Sequence, residues 1–340
     1  MKYSVGYQIL EDNSFVNEII KEKEHINEVY FSWGDFPNGR NIQINRLFTP
    51  WEATEKQIYD LSLMHESGIA FNLLFNGNCY GKDSLSRDFF NKIGNTIEYI
   101  KEKFNLPSVT VTSPIIAKFI KNNFSDISVR ASVNMEIGSI MGMSYIAEYF
   151  DGYYVKRECN RDFKKLAELK KWCCDNGKTL RILANSGCLN NCSVHNFHDN
   201  LVAHESEIAK MDNCYDFFGI CHEYLKKEEN RFSLIRDTNY IRPEDVRLYE
   251  PYFDSMKLAT RVSNNPVMIL KSYINEKCCG NILELLEPNH AGRIYPLVID
   301  NSKLNNSYLY CEKNCKSCTK CFENYQNAVL DLSKTEYGEL

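Results

Sequence analysis

Eight short runs of β-branched, aromatic and other apolar residues, each separated from the next by a helical pattern, constrain this chain more than any other feature. They cover residues 3–8, 28–33, 70–75, 108–112, 128–133, 152–156, 179–184 and 255–260. Most are almost continuously apolar, the signature of parallel strands covered on both faces. Between them lie amphipathic stretches at 13–24, 54–67, 84–104, 114–123, 137–150 and 161–174, and a proline-led turn of helix at 243–249. The second opens on a capping-box-like Thr54…Gln57, and the sixth stops at Asn176-Gly177. Strict alternation requires a parallel sheet, and eight repeats favour closing it into a (β/α)₈ barrel of the α/β class. An open doubly wound sheet is the alternative, but no glycine-rich dinucleotide fingerprint accompanies it.

The expected organisation is a barrel over 1–262, interrupted after the seventh strand by an insertion at 189–239 that is too long for a simple loop. A helical segment and a cysteine-rich tail follow over 263–340. A net charge of −5 gives no electrostatic ground for general nucleic-acid binding. No apolar run is long enough to span a bilayer, and the opening Met1-Lys2-Tyr3-Ser4 lacks the apolar region of a signal peptide. A cytoplasmic protein is therefore expected. In a reducing compartment its 14 cysteines are better read as metal ligands than as disulfides.

The cysteines fall into two groups. Cys188 and Cys192 sit in the turn-forming run Asn185-Ser186-Gly187-Cys188-Leu189-Asn190-Asn191-Cys192, directly after the seventh strand, where a barrel places its active-site loops. Cys214 and Cys221 follow in the insertion, and four such thiolates match the demand of an iron–sulfur cluster. Four buried, inert cysteines are the alternative. The second group is Cys311, Cys315, Cys318 and Cys321, four thiols in eleven polar residues that offer nothing to an apolar core. The close-spaced Cys315, Cys318, Cys321 triplet favours a second [4Fe–4S] cluster; four local sulfurs also suit structural zinc. His195 and His198 stand too close to Cys192 for a zinc-finger arm, and His195 is read instead as a proton handler or ligand orienter. Lys164, Lys165, Lys170 and Lys171 read as a solvated helix face. No Gly-x-Ser-x-Gly, His-Glu-x-x-His or P-loop motif is present.

With these residues in view, the chain resembles the peptidase U32 family, the collagenase-like proteases. Glu28-Val29-Tyr30-Phe31 with the trailing Gly39-Arg40 is similar to the family's early strand. Ser128-Val129-Arg130-Ala131-Ser132-Val133-Asn134 resembles its central strand, and Tyr154-Val155-Lys156-Arg157-Glu158 its strand ending in Arg-Glu. Cys188, Cys192, Cys214 and Cys221 fall where the family places its cluster cysteines, and residues 255–261 resemble the strand ending in Lys-Ile-Glu-Gly-Arg. Asn185-Ser186-Gly187 replaces the family's His-Gly, and Ala259-Thr260 its Glu-Gly.

The resemblance implies a [4Fe–4S] cluster, one or two in number, and an oxygen-independent hydroxylation of a small molecule or an RNA nucleotide. Peptidase activity assisted by a metal, and a non-catalytic iron–sulfur scaffold or electron carrier, are the alternatives. It also implies a partner from the same family. Within that reading Arg157, Glu158, Arg261 and His195 are the expected catalytic residues. Asn134, Arg130 and Arg40 are the expected substrate-binding residues, the arginines because guanidinium forks match carboxylate and phosphate.

Overall fold

Strand β1 (Lys2–Gly6) lies between β2 (Ile26–Phe31) and β8 (Ser255–Leu258), parallel to both, with Tyr3 opposite Ile26 on one side and Met256 on the other. That double pairing closes a ring through β3 (Phe71–Phe75), β4 (Ser108–Val111), β5 (Ser128–Ala131), β6 (Gly152–Tyr154) and β7 (Thr179–Leu183). The expected eight-stranded parallel barrel is the fold of the chain. The computed structural model describes residues 1–40, 48–311 and 314–334.

Helices α1 (Ser14–Lys21), α2 (Pro50–Glu66), α3 (Arg87–Lys103), α4 (Pro114–Asn123), α5 (Ile140–Ser144) and α6 (Phe163–Asp175) fill the first six crossovers. They bury apolar stripes such as Ile93, Ile97 and Ile100 of α3 against the outer faces of the strands. Each such fully buried side chain contributes about 1.5–3 kcal/mol.

Two helices differ from the sequence expectation. The capping box of α2 is Thr49…Glu52, with Thr49 N–H donating to Glu52 Oε2 (2.7 Å) and Pro50 at the first helical position. Thr54 instead sits inside the helix, its hydroxyl donating to the Pro50 carbonyl. The expected helix 137–150 shrinks to α5, because Ile137 O accepts from Lys156 N (2.9 Å) and is thereby held extended until Ser139 caps the turn. The proline-led 243–249 segment is a 3₁₀ helix.

The insertion between β7 and β8 carries α7 (His195–Ala203), α8 (Glu205–Ile208), α9 (Ile220–Lys226) and α10 (Ser233–Arg236). After β8, α11 (Pro266–Ile274) packs against the barrel, and α12 (Ala291–Ile294) precedes a pair of antiparallel strands, β9 (Leu297–Ile299) and β10 (Val329–Asp331). That small sheet is absent from the sequence reading of this segment. Between its strands lies α13 (Lys320–Ala328), which buries Asn324, Tyr325 and Ala328 and sets Phe322 against Phe232 of the insertion, 5.7 Å between rings.

The barrel interior is more polar than its strands suggest. Ser4, Glu28, Asn72, Ser108, Thr110, Arg130 and Lys257 are all buried. Glu28 accepts from Arg130 through both carboxylate oxygens at 2.6 Å. Among the described residues, no helix is long and apolar enough to cross a membrane.

Candidate functional site

The loop leaving β7 is fixed before its first cysteine is reached. The buried Asn185 amide donates to the carbonyls of Ala259 (2.9 Å) and Leu285 (2.8 Å) and accepts from Ala259 N–H (2.7 Å), tying β7 to β8 and to the C-terminal segment. Gly187 then passes so close to Pro288 that an added Cβ would stand 2.4 Å from its carbonyl oxygen, so only glycine fits. Its own carbonyl takes a hydrogen bond from His290 Nε2 (2.8 Å). Arg293 Nη1 is 3.2 Å from His290 Nδ1 and donates to Cys221 Sγ at 2.6 Å. Burial, and then Arg293, push the His290 imidazole down to about 4, so the neutral ring bridges Gly187 and Arg293. One relay thus joins the loop of Cys188 to Cys221.

Cys188, Cys192 and Cys221 line a single cavity of about 670 Å³, together with Arg40, His198 and Arg293. Burial raises the Cys188 thiol; Arg157 and Arg40 oppose that by favouring the thiolate. Cys214 is exposed and does not belong to the lining. Among the described residues, no three or more His, Cys, Asp or Glu side chains are drawn together as ligands of one metal ion. The donor set nevertheless fits an iron–sulfur cluster in kind: soft sulfurs around a cavity, with guanidinium groups to offset thiolate charge. A cluster spreads its thiolates over several irons, so they need not meet at one point.

The same Cys188–Cys192 loop forms one wall of a second cleft, about 280 Å³, bounded by Glu136, Arg157, Glu158 and His195. Arg157 donates from Nη1 to Glu136 (2.8 Å) and from Nη2 to Asn134 (3.1 Å). Its partner is therefore Glu136, not the adjacent Glu158. Glu136 has its pKa raised by burial against the opposing pull of Arg157. His195 lies 3.5 Å from Glu136 and 3.3 Å from Asp199; burial and then Arg157 lower its pKa. Glu158 accepts from Asn191 N–H (3.3 Å) through Oε1, while its buried Oε2 has no hydrogen-bond partner among the described residues.

The remaining expected residues lie elsewhere. Arg40 pairs with Glu287 on the wall of the larger cavity. Arg261 is buried, donates to Asn38 (3.2 Å) and stands beside the Tyr30 ring; neither the cavity nor the cleft includes it. Arg130 is held by Glu28 inside the barrel. In the tail, Cys311, Cys315 and Cys318 are exposed and Cys321 is partly buried, its thiol pushed up to about 11 by burial and by the other three. Glu136, Asp199, Glu287, His290 and Arg293 are missing from the sequence reading; they are dispersed along the chain and meet only when the barrel closes.

Comparison with known proteins bears directly on the family. The chain is 26% identical over 329 residues to an uncharacterized protease, MJ1657, of Methanocaldococcus jannaschii, covering 92% of this chain and 91% of that one. A solved U32 peptidase, Mk0906, superposes with a TM-score of 0.53 at 13% identity, covering 76% of this chain and 91% of that one. The chain is thus similar in sequence to a protein named as a protease and in fold to a U32 peptidase. The barrel is shared with the solved peptidase, while the residues of the cavity and cleft stand on their own geometry. No protein-family profile matches the chain.

Proposed function

We propose that this protein is a member of the U32 peptidase family and an iron–sulfur enzyme that acts on an anionic small molecule, or on a single nucleotide of an RNA, held in the cleft beside the cysteine cavity. The observation that carries the reading is the shared wall: the loop bearing Cys188 and Cys192 borders both the thiol-lined cavity and the arginine-bearing cleft. Cys188, Cys192 and Cys221 hold the cluster, which when bound supplies electron transfer next to the substrate. Arg157 presents its guanidinium to an anionic group, held in place by Glu136 and Asn134. Glu158 offers its Oε2, which has no partner among the described residues, as proton acceptor. His195, kept neutral by burial and by Arg157, exchanges protons with Asp199 and Glu136.

Anaerobic purification followed by iron and sulfide analysis tests this. Stoichiometric iron and sulfide that fall together in Cys188→Ser and Cys221→Ser support the reading. Iron-free protein, or iron unchanged in both variants, defeats it. The tail cysteines form a separate proposed site, with a second cluster favoured over zinc by the Cys315, Cys318, Cys321 spacing.

A further inference from the structure

Helix α7 separates two cavities. Its His198, Asp199 and Val202 line the cysteine cavity. Asn196 and Asn200, one helical turn apart, line another of about 600 Å³. The facing wall comes from the C-terminal ends of strands, where a barrel places its substrate: Ser84 beyond β3, Thr112 and Ser113 after β4, and Asn134 after β5. Asn78 ties that wall to the helix, its amide donating to Asp199 Oδ2 (3.2 Å).

Building on the anion-binding reading of the neighbouring cleft, we propose that this cavity takes the sugar ring of a small sugar phosphate whose phosphate lies on Arg157. Cavity and cleft adjoin, because Asn196 lines both. Asn134, on the cavity wall, accepts from Arg157 Nη2 at 3.1 Å. The two compartments differ in charge. Arg157 and Lys156 bring positive charge to the cleft. No Asp, Glu, Lys, Arg or His is among the described residues that line the cavity. A charged group held there would lack a counter-ion, so the part of the ligand it takes is neutral.

The lining also matches a ring with hydroxyls at its rim. A carboxamide both donates and accepts, as a hydroxyl does. Asn134 is already committed, donating to the Asn76 carbonyl (3.3 Å), and the Ser113 hydroxyl accepts from Ile116 N–H (3.3 Å). The amides of Asn196 and Asn200 and the hydroxyl of Ser84 have no hydrogen-bond partner among the described residues and remain for a ligand. Pro114 and Met135 add apolar surface for the C–H faces of the ring. A nucleobase asks for a free aromatic face to stack on. Tyr80 is the single aromatic ring among the described lining residues, and it packs against Phe89, 5.5 Å between ring centres.

Calorimetric titration of the full chain, purified anaerobically, with inorganic phosphate, glucose, glucose 6-phosphate, ribose 5-phosphate and uridine 5′-monophosphate tests this. The tighter of the two sugar phosphates should bind at least about tenfold better than phosphate or glucose alone, because it engages both compartments. Ser84→Ala combined with Asn200→Ala, neither of which borders the cleft, should remove most of that advantage and leave the affinity for phosphate unchanged. Arg157→Lys should weaken phosphate and sugar phosphates alike. Sugar phosphates no tighter than phosphate, or an advantage that survives in the double variant, overturn the inference. Uridine 5′-monophosphate binding about tenfold tighter than ribose 5-phosphate also overturns it, since the base then fills the cavity. The readout is binding, so an iron-free chain that shows the advantage defeats the cluster and leaves this inference standing. An iron-loaded chain with no affinity for phosphate or sugar phosphate ends the anion site and this inference, and leaves the cluster.

Discussion

Two buried charges in the barrel interior behave in opposite ways. Glu28 and Arg130 are both almost fully buried and pair at 2.6 Å; burial disfavours the carboxylate, but Arg130 and Arg181 outweigh it and hold its pKa below the usual range. Removing one partner strands the other, so Glu28→Ala should cost about 3–5 kcal/mol in urea unfolding. The paired change Glu28→Leu with Arg130→Met should recover most of that loss. Among the described residues, no carboxylate stands close enough to Lys257 to form such a pair. Its ammonium sits 4.0 Å from the Tyr30 ring centre and 5.1 Å from that of Tyr154, and burial, then Arg261, push it down to about 7. The unfolded chain, with an ordinary lysine near 10.5, therefore binds more protons than the folded one between these values. The penalty is full below about 7 and is relieved as pH rises toward the unfolded value. Lys257→Met should accordingly stabilise the protein most in mildly acidic urea titrations, with the gain shrinking as the solution is made alkaline. A gain independent of pH would show that Lys257 titrates normally.

At the scale of elements, the strands were legible because parallel, doubly covered strands must be apolar and β-branched, and each run lies within a few residues of its strand. The start of α2 was misread because Thr49…Glu52 and Thr54…Gln57 offer the same pattern five residues apart; Pro50, suited only to a first helical turn, distinguishes them. The candidate site was legible in its thiols and, through the family resemblance, in Arg40, Arg157, Glu158 and His195. Turn residues and spacing marked Cys188 and Cys192, and the structure brings Cys221 to the same cavity while leaving Cys214 exposed. The Glu287–Arg40 pair and the His290–Arg293 relay leave no local pattern, since each depends on residues more than seventy positions apart. That relay predicts a loop-specific defect. Gly187→Ala must displace the Pro288 carbonyl, and His290→Ala removes the link to Arg293. Both should lower iron bound per protein while the unfolding midpoint of the barrel changes little, and unchanged iron in both would show that the relay does not position Cys188. The tail is anchored by ordinary contacts: Asn324 and Asn305 exchange hydrogen bonds at 3.1 Å, and Arg242 donates to the Leu304 carbonyl at 2.8 Å. Metal loss should therefore loosen the exposed 314–319 loop more than α13. Hydrogen exchange with and without chelator reads the difference; equal exchange in both conditions would leave the tail site without support.

Across the whole molecule, a closed barrel delivers residues from β2, β5, β6, β7 and the C-terminal segment to one mouth, and the insertion after β7 adds the third thiol and a wall of histidines. The apolar layer between strands and helices stabilises that frame independently of any metal. Cluster assembly needs deprotonated thiols, and burial raises Cys188, so reconstitution should be faster as pH rises through the mildly alkaline range. The central claim is that Cys188, Cys192 and Cys221 jointly hold an iron–sulfur cluster. Iron and acid-labile sulfide measured per chain on anaerobically purified wild type, and on the Cys188→Ser, Cys192→Ser and Cys221→Ser variants, address it most directly. The account predicts matched iron and sulfide in the wild type and a parallel loss of both in each variant, with the tail's own share remaining. Iron and sulfide absent from the wild type, or retained in full by all three variants, would contradict it.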